Sequence, residues 1–321
     1  MLNTALKALK DSNTICIYSH INVDCDAMGS SLALKEGLEL LGKKVDVFVN
    51  SNFPNNFSFY GDLSYINQKT IEGKYDLVVC LDCVNESRLG KYKFSYKKGI
   101  KNSLNIDHHL SNENYCKINY VINASSTAEI LFDVLKELKI MFTPFMCKCL
   151  ISGIVTDTGR FSHSTSVKTF NIVAKLLKYG NLTMEDIINP LFNSMKMEVF
   201  YLLQKAYQTI EFYSDNKLAI IMLSNSDFKE TGATLDDTDI FPDIPLQLEN
   251  VQFAILASED DKGYFRVSLR SKGDISARKV AESFGGGGHL NASGCKIFGG
   301  FDEVKDKLIN STIEILGWKN D

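Results

Sequence analysis

Residues 105–113 read NIDHHLSNE, two adjacent histidines directly behind an aspartate. On an extended strand, neighbouring side chains point to opposite faces. His108 and His109 can therefore serve one site only if the strand has already ended, so SLNID (103–107) is read as a strand whose carboxyl end carries Asp107. The same design recurs upstream. TICIYS (14–19) runs into His20, VDVFVN (45–50) follows, and DLVVCLD (76–82) closes on Asp82. These apolar runs lack the alternation of a half-exposed sheet, which predicts strands buried on both faces. Between them the period changes. From Ala27, Leu34, Leu38 and Leu41 recur at helical spacing before Gly42, and STAEILFDVLKEL (126–138) is an amphipathic helix after a Ser/Thr start. Strands alternating with helices predict an α/β fold, with an N-terminal parallel sheet and helices on both faces.

Residues 182–210, LTMEDIINPLFNSMKMEVFYLLQKAYQTI, read as helix with one proline break and suggest a connector or hinge. Beyond them NKLAIIML, VQFAILAS and YFRVSLR are strands separated by polar turns. A glycine cluster and a last helix, EVKDKLINSTIEIL, follow. The expected organisation is a first domain at 1–185, a connector helix at 186–209 and a smaller α/β domain at 210–321.

In open α/β sheets ligands bind beyond the carboxyl ends of the strands. Those ends carry His20, Asp24 and Asp26 (HINVDCDAMGS), Asp82, and Asp107 with His108 and His109; LISGIVTDTGRFSHSTS adds Asp157. Taken singly, Asp24 and Asp26 read equally well as a turn and a helix N-cap, Asp82 as a turn residue and His20 as a satisfied polar group. Taken together, so many carboxylates on one sheet edge would repel one another unless cations lay between them. Imidazole and carboxylate without an essential thiolate suit a divalent metal such as Mn²⁺. Two metals ~3.5–4 Å apart, one lowering the pKa of a water and both neutralising phosphoryl oxygens, form a general device for phosphate-ester hydrolysis.

Here a resemblance enters. H-x-x-x-D-x-D-A-x-G-S at 20–30, Asp82, D-H-H at 107–109 and G-x-x-x-D-T-G at 153–159 resemble, in order, the four motifs of the DHH phosphoesterase superfamily. RVSLRS (266–271) and GGGGHLNASG (285–294) resemble its associated DHHA1 domain, so the motifs span nearly the whole chain. The resemblance implies that His20 and Asp24 hold one Mn²⁺, Asp26 and His108 a second, that Asp82 bridges them and that Asp157 completes the shell. Mg²⁺ or Co²⁺ would be the substitutes. Asp107 would orient an imidazole ligand, and His109 would face the substrate phosphate. The family usually has proline where Val23 stands, a change that loosens a loop without removing a ligand.

The same resemblance makes 1–185 the catalytic DHH domain and 210–321 a DHHA1 domain that holds substrate through Arg270, Gly286, Gly287, Gly288 and His289. The glycines permit close backbone approach and an amide nest; a plain glycine turn is the simpler alternative. Arg266 is a weaker candidate. Arg160 could meet a phosphate, while His163, Thr165 and Thr169 could line the site. Cys80 and Cys83, spaced C-x-x-C, are read as packing, as are Cys147 and Cys149.

The chain looks most like the nano-RNase branch, which degrades very short oligoribonucleotides to mononucleotides and dephosphorylates 3′-phosphoadenosine 5′-phosphate (pAp). An architectural relative hydrolyses cyclic di-AMP or linear pApA, and a non-catalytic nucleotide sensor is the remaining alternative. The bulk numbers agree with short substrates. Net charge is −4 over 321 residues, with a sequence pI of about 5.8 and no basic tail, which argues against long duplex nucleic acid. Eight scattered cysteines suggest a reduced, cytoplasmic setting. No apolar run approaches the ~18 residues of a membrane span, and the N-terminus lacks signal-peptide features. The resemblance also makes a homodimer unsurprising.

Overall fold

A computed structural model describes residues 1–50, 55–72, 74–93, 102–238, 240–288 and 290–319. The chain divides into two compact units, Met1–Ser194 and Met195–Asp321.

The first unit runs α1 (Leu2–Asp11), β1 (Thr14–Tyr18), α2 (Cys25–Leu40), β2 (Lys44–Phe48), β3 (Leu77–Leu81), β4 (Asn102–Asp107), β5 (Ile118–Val121), α3 (Thr127–Glu137), α4 (Pro144–Asp157), α5 (Val167–Gly180) and α6 (Glu185–Phe192). The strands lie in the order β2-β1-β3-β4-β5, every pair parallel. Ile15, Ile17, Val45, Val47, Leu77, Val79, Leu104 and Ile106 pack into the core with the α-helices. Their strand neighbours Cys16, Tyr18, Phe48, Val78 and Cys80 face the other way. There they meet Leu89 of the short 3₁₀ segment Glu86–Tyr92, together with Tyr75, Tyr92 and Tyr115. Burial on both faces accounts for the missing polar alternation.

Each helix that matters to the site begins at a side-chain cap. Asp24 accepts from the Ala27 amide at the start of α2, Ser126 from Glu129 at the start of α3, and Thr143 from Met146 at the start of α4, where Pro144 occupies the first turn. Asn105, inside β4, spends its amide on the carbonyls of Cys80 and Cys83, so a polar residue in a buried strand is satisfied.

The segment expected as one connector helix at 186–209 is two helices with a break at 193–196. Pro190 lies inside α6 rather than at that break. The second unit starts with α7 (Met197–Gln208) and continues β6 (Glu211–Tyr213), β7 (Leu218–Leu223), α8 (Asn225–Thr231), β8 (Phe253–Glu259), β9 (Tyr264–Ser271), α9 (Ala277–Ser283), β10 (Gly287–Gly288), β11 (Ala292–Phe298) and α10 (Phe301–Leu316). Its six-stranded sheet has the order β10-β11-β9-β8-β7-β6, with only β7 and β8 parallel. Among the described residues no helix is long and apolar enough to cross a membrane.

Helices α2 and α4 approach so closely that glycine is required on both. A Cβ on Gly29 would lie 2.3 Å from the Cys149 carbonyl oxygen, and one on Gly153 would lie 2.6 Å from Asp26 Oδ1. The first obstacle is backbone and cannot rotate away. Gly29→Ala should therefore lower stability by about 1–3 kcal/mol, the usual cost of overpacking, measured by urea denaturation. A loss below about 0.5 kcal/mol, the range of ordinary surface changes, would mean that the helices separate easily.

Candidate functional site

The order β2-β1-β3 places a topological switch point between β1 and β3, where an open parallel sheet forms its crevice. The turn after β1 delivers His20 and the α2 cap Asp24. One residue beyond β3 stands Asp82, buried and with φ at +52°. Aspartate tolerates this left-handed conformation better than most residues, and it turns the chain at the strand end. Asp82 Oδ2 lies 3.4 Å from His20 Nε2, whereas Oδ1 lies 3.5 Å from His108 Nε2. The two oxygens of one carboxylate thus face two different imidazoles. Asp24 Oδ2 stands 3.5 Å from His20 Nε2, and Asp157 Oδ2, at the end of α4, stands 3.2 Å from His108 Nε2.

Among the described residues, three sets of side chains bring potential ligand atoms within 4.8 Å of one another: His20, Asp24 and Asp82; Asp26, His108 and Asp157; and Asp82, Asp107, His108 and His109. The last set is weakened by Asp107, whose oxygens are already engaged. Oδ1 accepts from the backbone amides of His108 and His109 (2.8 and 3.2 Å) and from His109 Nδ1 (2.7 Å), while Oδ2 accepts from Asn112 Nδ2 (2.5 Å). This answers how adjacent histidines serve one place. Asp107 ends β4, folds the next two amides back onto its own carboxylate, and brings the imidazole centroids to 4.2 Å. The imidazole it orients is that of His109, not that of His108.

Tautomers follow from the carbonyls. His20 Nδ1 donates to the Ile21 carbonyl (2.7 Å) and His108 Nδ1 to that of Ala124 (3.3 Å), which turns each Nε2 toward the carboxylates. His108 Nε2 is buried and has no hydrogen-bond partner among the described residues. An orphaned imidazole nitrogen aimed into a nest of carboxylates fits a divalent cation, and so does the thiolate-free donor set.

Asp26 is buried at the first turn of α2, and both of its oxygens accept amides from the first turn of α3: Oδ2 from Thr127 (2.7 Å) and Oδ1 from Ala128 (2.9 Å). A helix N-terminus favours negative charge. Even so, burial and then the charges of Asp82, Asp157 and Asp24 hold the Asp26 carboxyl well above its usual range. Burial followed by the charges of Asp82 and Asp24 pushes Asp157 up to about 8. Burial alone would depress His20, but its hydrogen bonds to Asp24 and Asp82 and their charges push it up to about 10. His109 is raised in the same way, burial opposing and the Asp107 hydrogen bond leading the rise. Without cations Asp26 and Asp157 therefore keep protons.

Several contributors escaped the sequence reading. Thr127 Oγ1 donates to Asp82 Oδ1 (3.1 Å), and Asn112 holds Asp107. Arg88 places Nη2 3.2 Å from His20 Nδ1; that nitrogen already donates to a carbonyl, so the guanidinium stands beside the ring as a charge. The Ser-Thr start of α3 marked a helix cap, but its pairing with Asp26 across 101 positions left no local trace.

The other expected residues have contacts of their own. Arg160 is exposed and stacks 5.1 Å over Phe192. His163 packs where a Cβ on Gly159 would fall, and Thr165 donates to the His163 carbonyl. Thr169 is not a site residue: it is buried and donates to Glu129 Oε2 at 2.7 Å. In the second unit, Arg270 Nε faces Asp243 Oδ1 at 3.5 Å. Of the glycines expected to form an amide nest, some are already engaged. Gly285 and Gly286 donate to the Glu282 and Ala281 carbonyls at the end of α9, and Gly287 and Gly288 pair with Gly294 and Ser293 of β11. Glycine is needed there for close approach, since a Cβ on Gly286 would meet the Gly294 oxygen at 2.2 Å. His289 lies outside the described residues.

Cation binding must displace the protons held by His20 and Asp157, so affinity must rise with pH. Titration calorimetry with Mn²⁺ at pH 6 and pH 8 should show binding tighten by about tenfold per pH unit for each proton released. A flat dependence would mean that these groups are not the ligands.

Comparison with known proteins agrees with this architecture. Residues 14–154 match the DHH family, N-terminal domain, and residues 215–317 match the DHHA1 domain. A probable bifunctional oligoribonuclease and PAP phosphatase NrnA from Streptococcus mutans is 29% identical over 297 residues, covering 92% of this chain and 93% of that one. The bifunctional oligoribonuclease and PAP phosphatase NrnA of Bacillus subtilis is 27% identical over 315 residues, 96% of each chain. Among solved structures, an exopolyphosphatase-related protein from Bacteroides fragilis superposes with a TM-score of 0.90 at 27% identity, covering 98% of this chain and 95% of that one. With both matched domains in order along the chain and its phosphoesterase motifs at the strand ends, the protein belongs to the DHH family and carries a DHHA1 domain as its second unit.

Proposed function

We propose that the chain is a divalent-cation-dependent phosphohydrolase that degrades very short oligoribonucleotides to mononucleotides and removes the 3′-phosphate of pAp. The observation that carries this reading is Asp82, whose two oxygens face separate imidazole–carboxylate groups. His20, Asp24 and Asp82 would hold one cation. Asp26, His108 and Asp157, with the other oxygen of Asp82, would hold the second. Oxygen and imidazole donors suit Mn²⁺, with Mg²⁺ or Co²⁺ as substitutes. When bound, such a pair activates water and neutralises phosphoryl oxygens.

The chain's own residues divide the remaining work. Asp107 fixes His109 through Nδ1 and leaves Nε2 of this half-exposed ring available to donate to a phosphate oxygen. Thr127 and the α3 amides hold Asp82 and Asp26 in place. In the second unit Arg270 and the exposed Gly287–Gly288 strand offer a cation and bare backbone to a nucleotide, with His289 and Arg160 as further substrate contacts. The substrate class rests on the relatives named as oligoribonuclease and PAP phosphatase over more than nine-tenths of both chains, and on a net charge of −4 that suits short anions. Its eight cysteines, all free, accord with a cytoplasmic setting.

The test is product analysis with Mn²⁺ on a ribodinucleotide, a five-residue RNA, pAp, linear pApA and cyclic di-AMP. Mononucleotides from the short RNAs and release of phosphate from pAp are expected. Preference for pApA or the cyclic dinucleotide would move the protein to second-messenger turnover, and binding without cleavage would make it a sensor. Asp82→Asn should lose more activity than the ~10–100-fold typical of a residue one step removed from a metal; near wild-type turnover would sink the two-cation reading. Arg270→Ala should raise KM more than it lowers kcat, and an unchanged KM would remove Arg270 from the substrate site.

A further inference from the structure

Three of the candidate ligands lean on one short stretch of chain, the turn into α3. There the Ala124 carbonyl accepts from His108 Nδ1 (3.3 Å), and the Thr127 hydroxyl donates to Asp82 Oδ1 (3.1 Å). The Thr127 and Ala128 amides donate to the two oxygens of Asp26 (2.7 and 2.9 Å). His20 and Asp24 are held differently, by the Ile21 carbonyl and the Ala27 amide. A displacement of the turn would therefore disturb the group of Asp26 and His108 most, and the group of His20 and Asp24 least.

A buried carboxylate holds the turn. Ser126 and Glu129 stand at the S-x-x-E spacing of a capping box, in which the glutamate reaches back to the N-cap amide. Ser126 Oγ does accept from the Glu129 amide (3.1 Å), but the Glu129 side chain turns into the protein instead. Its Oε2 accepts from Ser125 Oγ (2.6 Å) and from Thr169 Oγ1 (2.7 Å). Glu129 is 3% exposed, and both hydroxyl residues are buried with it. Thr169 is itself fixed in the capping box that starts α5, where its hydroxyl accepts from the Ser166 amide (3.2 Å). Lys168 Nζ, 2.8 Å from Asp133 and 3.6 Å from Glu129 Oε1, brings a countercharge from the surface. Burying a carboxylate is costly, and an apolar side chain of like volume often serves stability as well or better. Packing alone therefore does not account for Glu129.

We infer that Glu129 is a positioning residue for the second cation. By tying Ser125 to the start of α5, it fixes the turn that aims His108 Nε2 and holds Asp26. The inference rests on the two-cation part of the proposed function and adds to it a residue that acts only through this turn.

The experiment is Mn²⁺ titration calorimetry on the wild-type chain, Glu129→Ala, Glu129→Gln and Thr169→Val, with Asp157→Asn to mark the second binding event. Glu129→Ala should weaken the marked event by about 10–100-fold, the effect usual for a residue one step behind a metal ligand, and leave the other near wild type. Glu129→Gln keeps an oxygen for both hydroxyls and should recover most of the affinity. Thr169→Val removes one donor at nearly the same shape. It should weaken the same event by a smaller factor, and it decides the question if Glu129→Ala does not fold. Electron paramagnetic resonance gives a second readout, since two Mn²⁺ ions sharing a carboxylate are spin-coupled. At equal Mn²⁺, Glu129→Ala should lose the coupling that Glu129→Gln keeps. Equal weakening of both events, or unchanged binding in Glu129→Ala, would overturn the inference, and so would a Glu129→Gln protein no better than Glu129→Ala. A wild-type chain that binds no second Mn²⁺ would overturn it together with the two-cation reading. One that binds both ions but cleaves no RNA would defeat the hydrolase reading alone, since the calorimetry still decides the role of Glu129.

Discussion

Electrostatic repulsion at the end of β1 and β3 is the constraint around which the first unit is arranged. Burial and the neighbouring charges raise the carboxyls of Asp26 and Asp157, so that both hold their protons beside the buried Asp82. The surrounding structure opposes that repulsion with fixed dipoles, hydrogen bonds and the imidazoles of His20 and His109. The α3 N-terminus points at Asp26, the Thr127 hydroxyl at Asp82, and three donors from the DHH turn converge on one oxygen of Asp107. Arg88 adds a half-buried cation beside His20. Imidazoles can give up their protons when a cation arrives, which leaves the site the net negative charge that a cation binder needs.

Adjacent carboxylates also take different parts because of what surrounds them. Asp107 is saturated by donors and stays ionised, its carboxyl held below the usual range by the His109 hydrogen bond against the effect of burial. Asp157, at the carboxyl end of α4 and facing other carboxylates, is pushed the opposite way. The first is suited to orienting a ring and the second to yielding its proton when a cation arrives.

Much of this was legible in the sequence because the strands of a parallel sheet are unbroken apolar runs, and the residue after each run is forced to the ligand edge. His20, Asp82 and His108 could be placed by that rule alone. What the sequence hid were contacts without local period. The Thr127 and Ala128 amides meet Asp26 across about a hundred residues, and Thr169, beside the fourth motif in sequence, turns inward to Glu129. Strand β5 was missed since INYV is short and only its Tyr120 is buried. The glycine run was ambiguous for a physical reason: glycine serves equally for an anion cradle and for strands packed too tightly for a Cβ, and here Gly286 serves the second.

The contact between α2 and α4 has a consequence for how the protein tolerates change. Asp26 lies at the start of one helix and Asp157 at the end of the other, and Gly29 against the Cys149 carbonyl sets the helices at main-chain thickness. A gauge made of backbone does not depend on which apolar side chains fill the rest of the interface. Leu, Ile, Met and Cys around it can be exchanged at some expense in stability while the distance between the two carboxylates holds. The carboxylate spacing is thereby insulated from drift in the core, and the sensitivity is concentrated in two positions that carry no side chain.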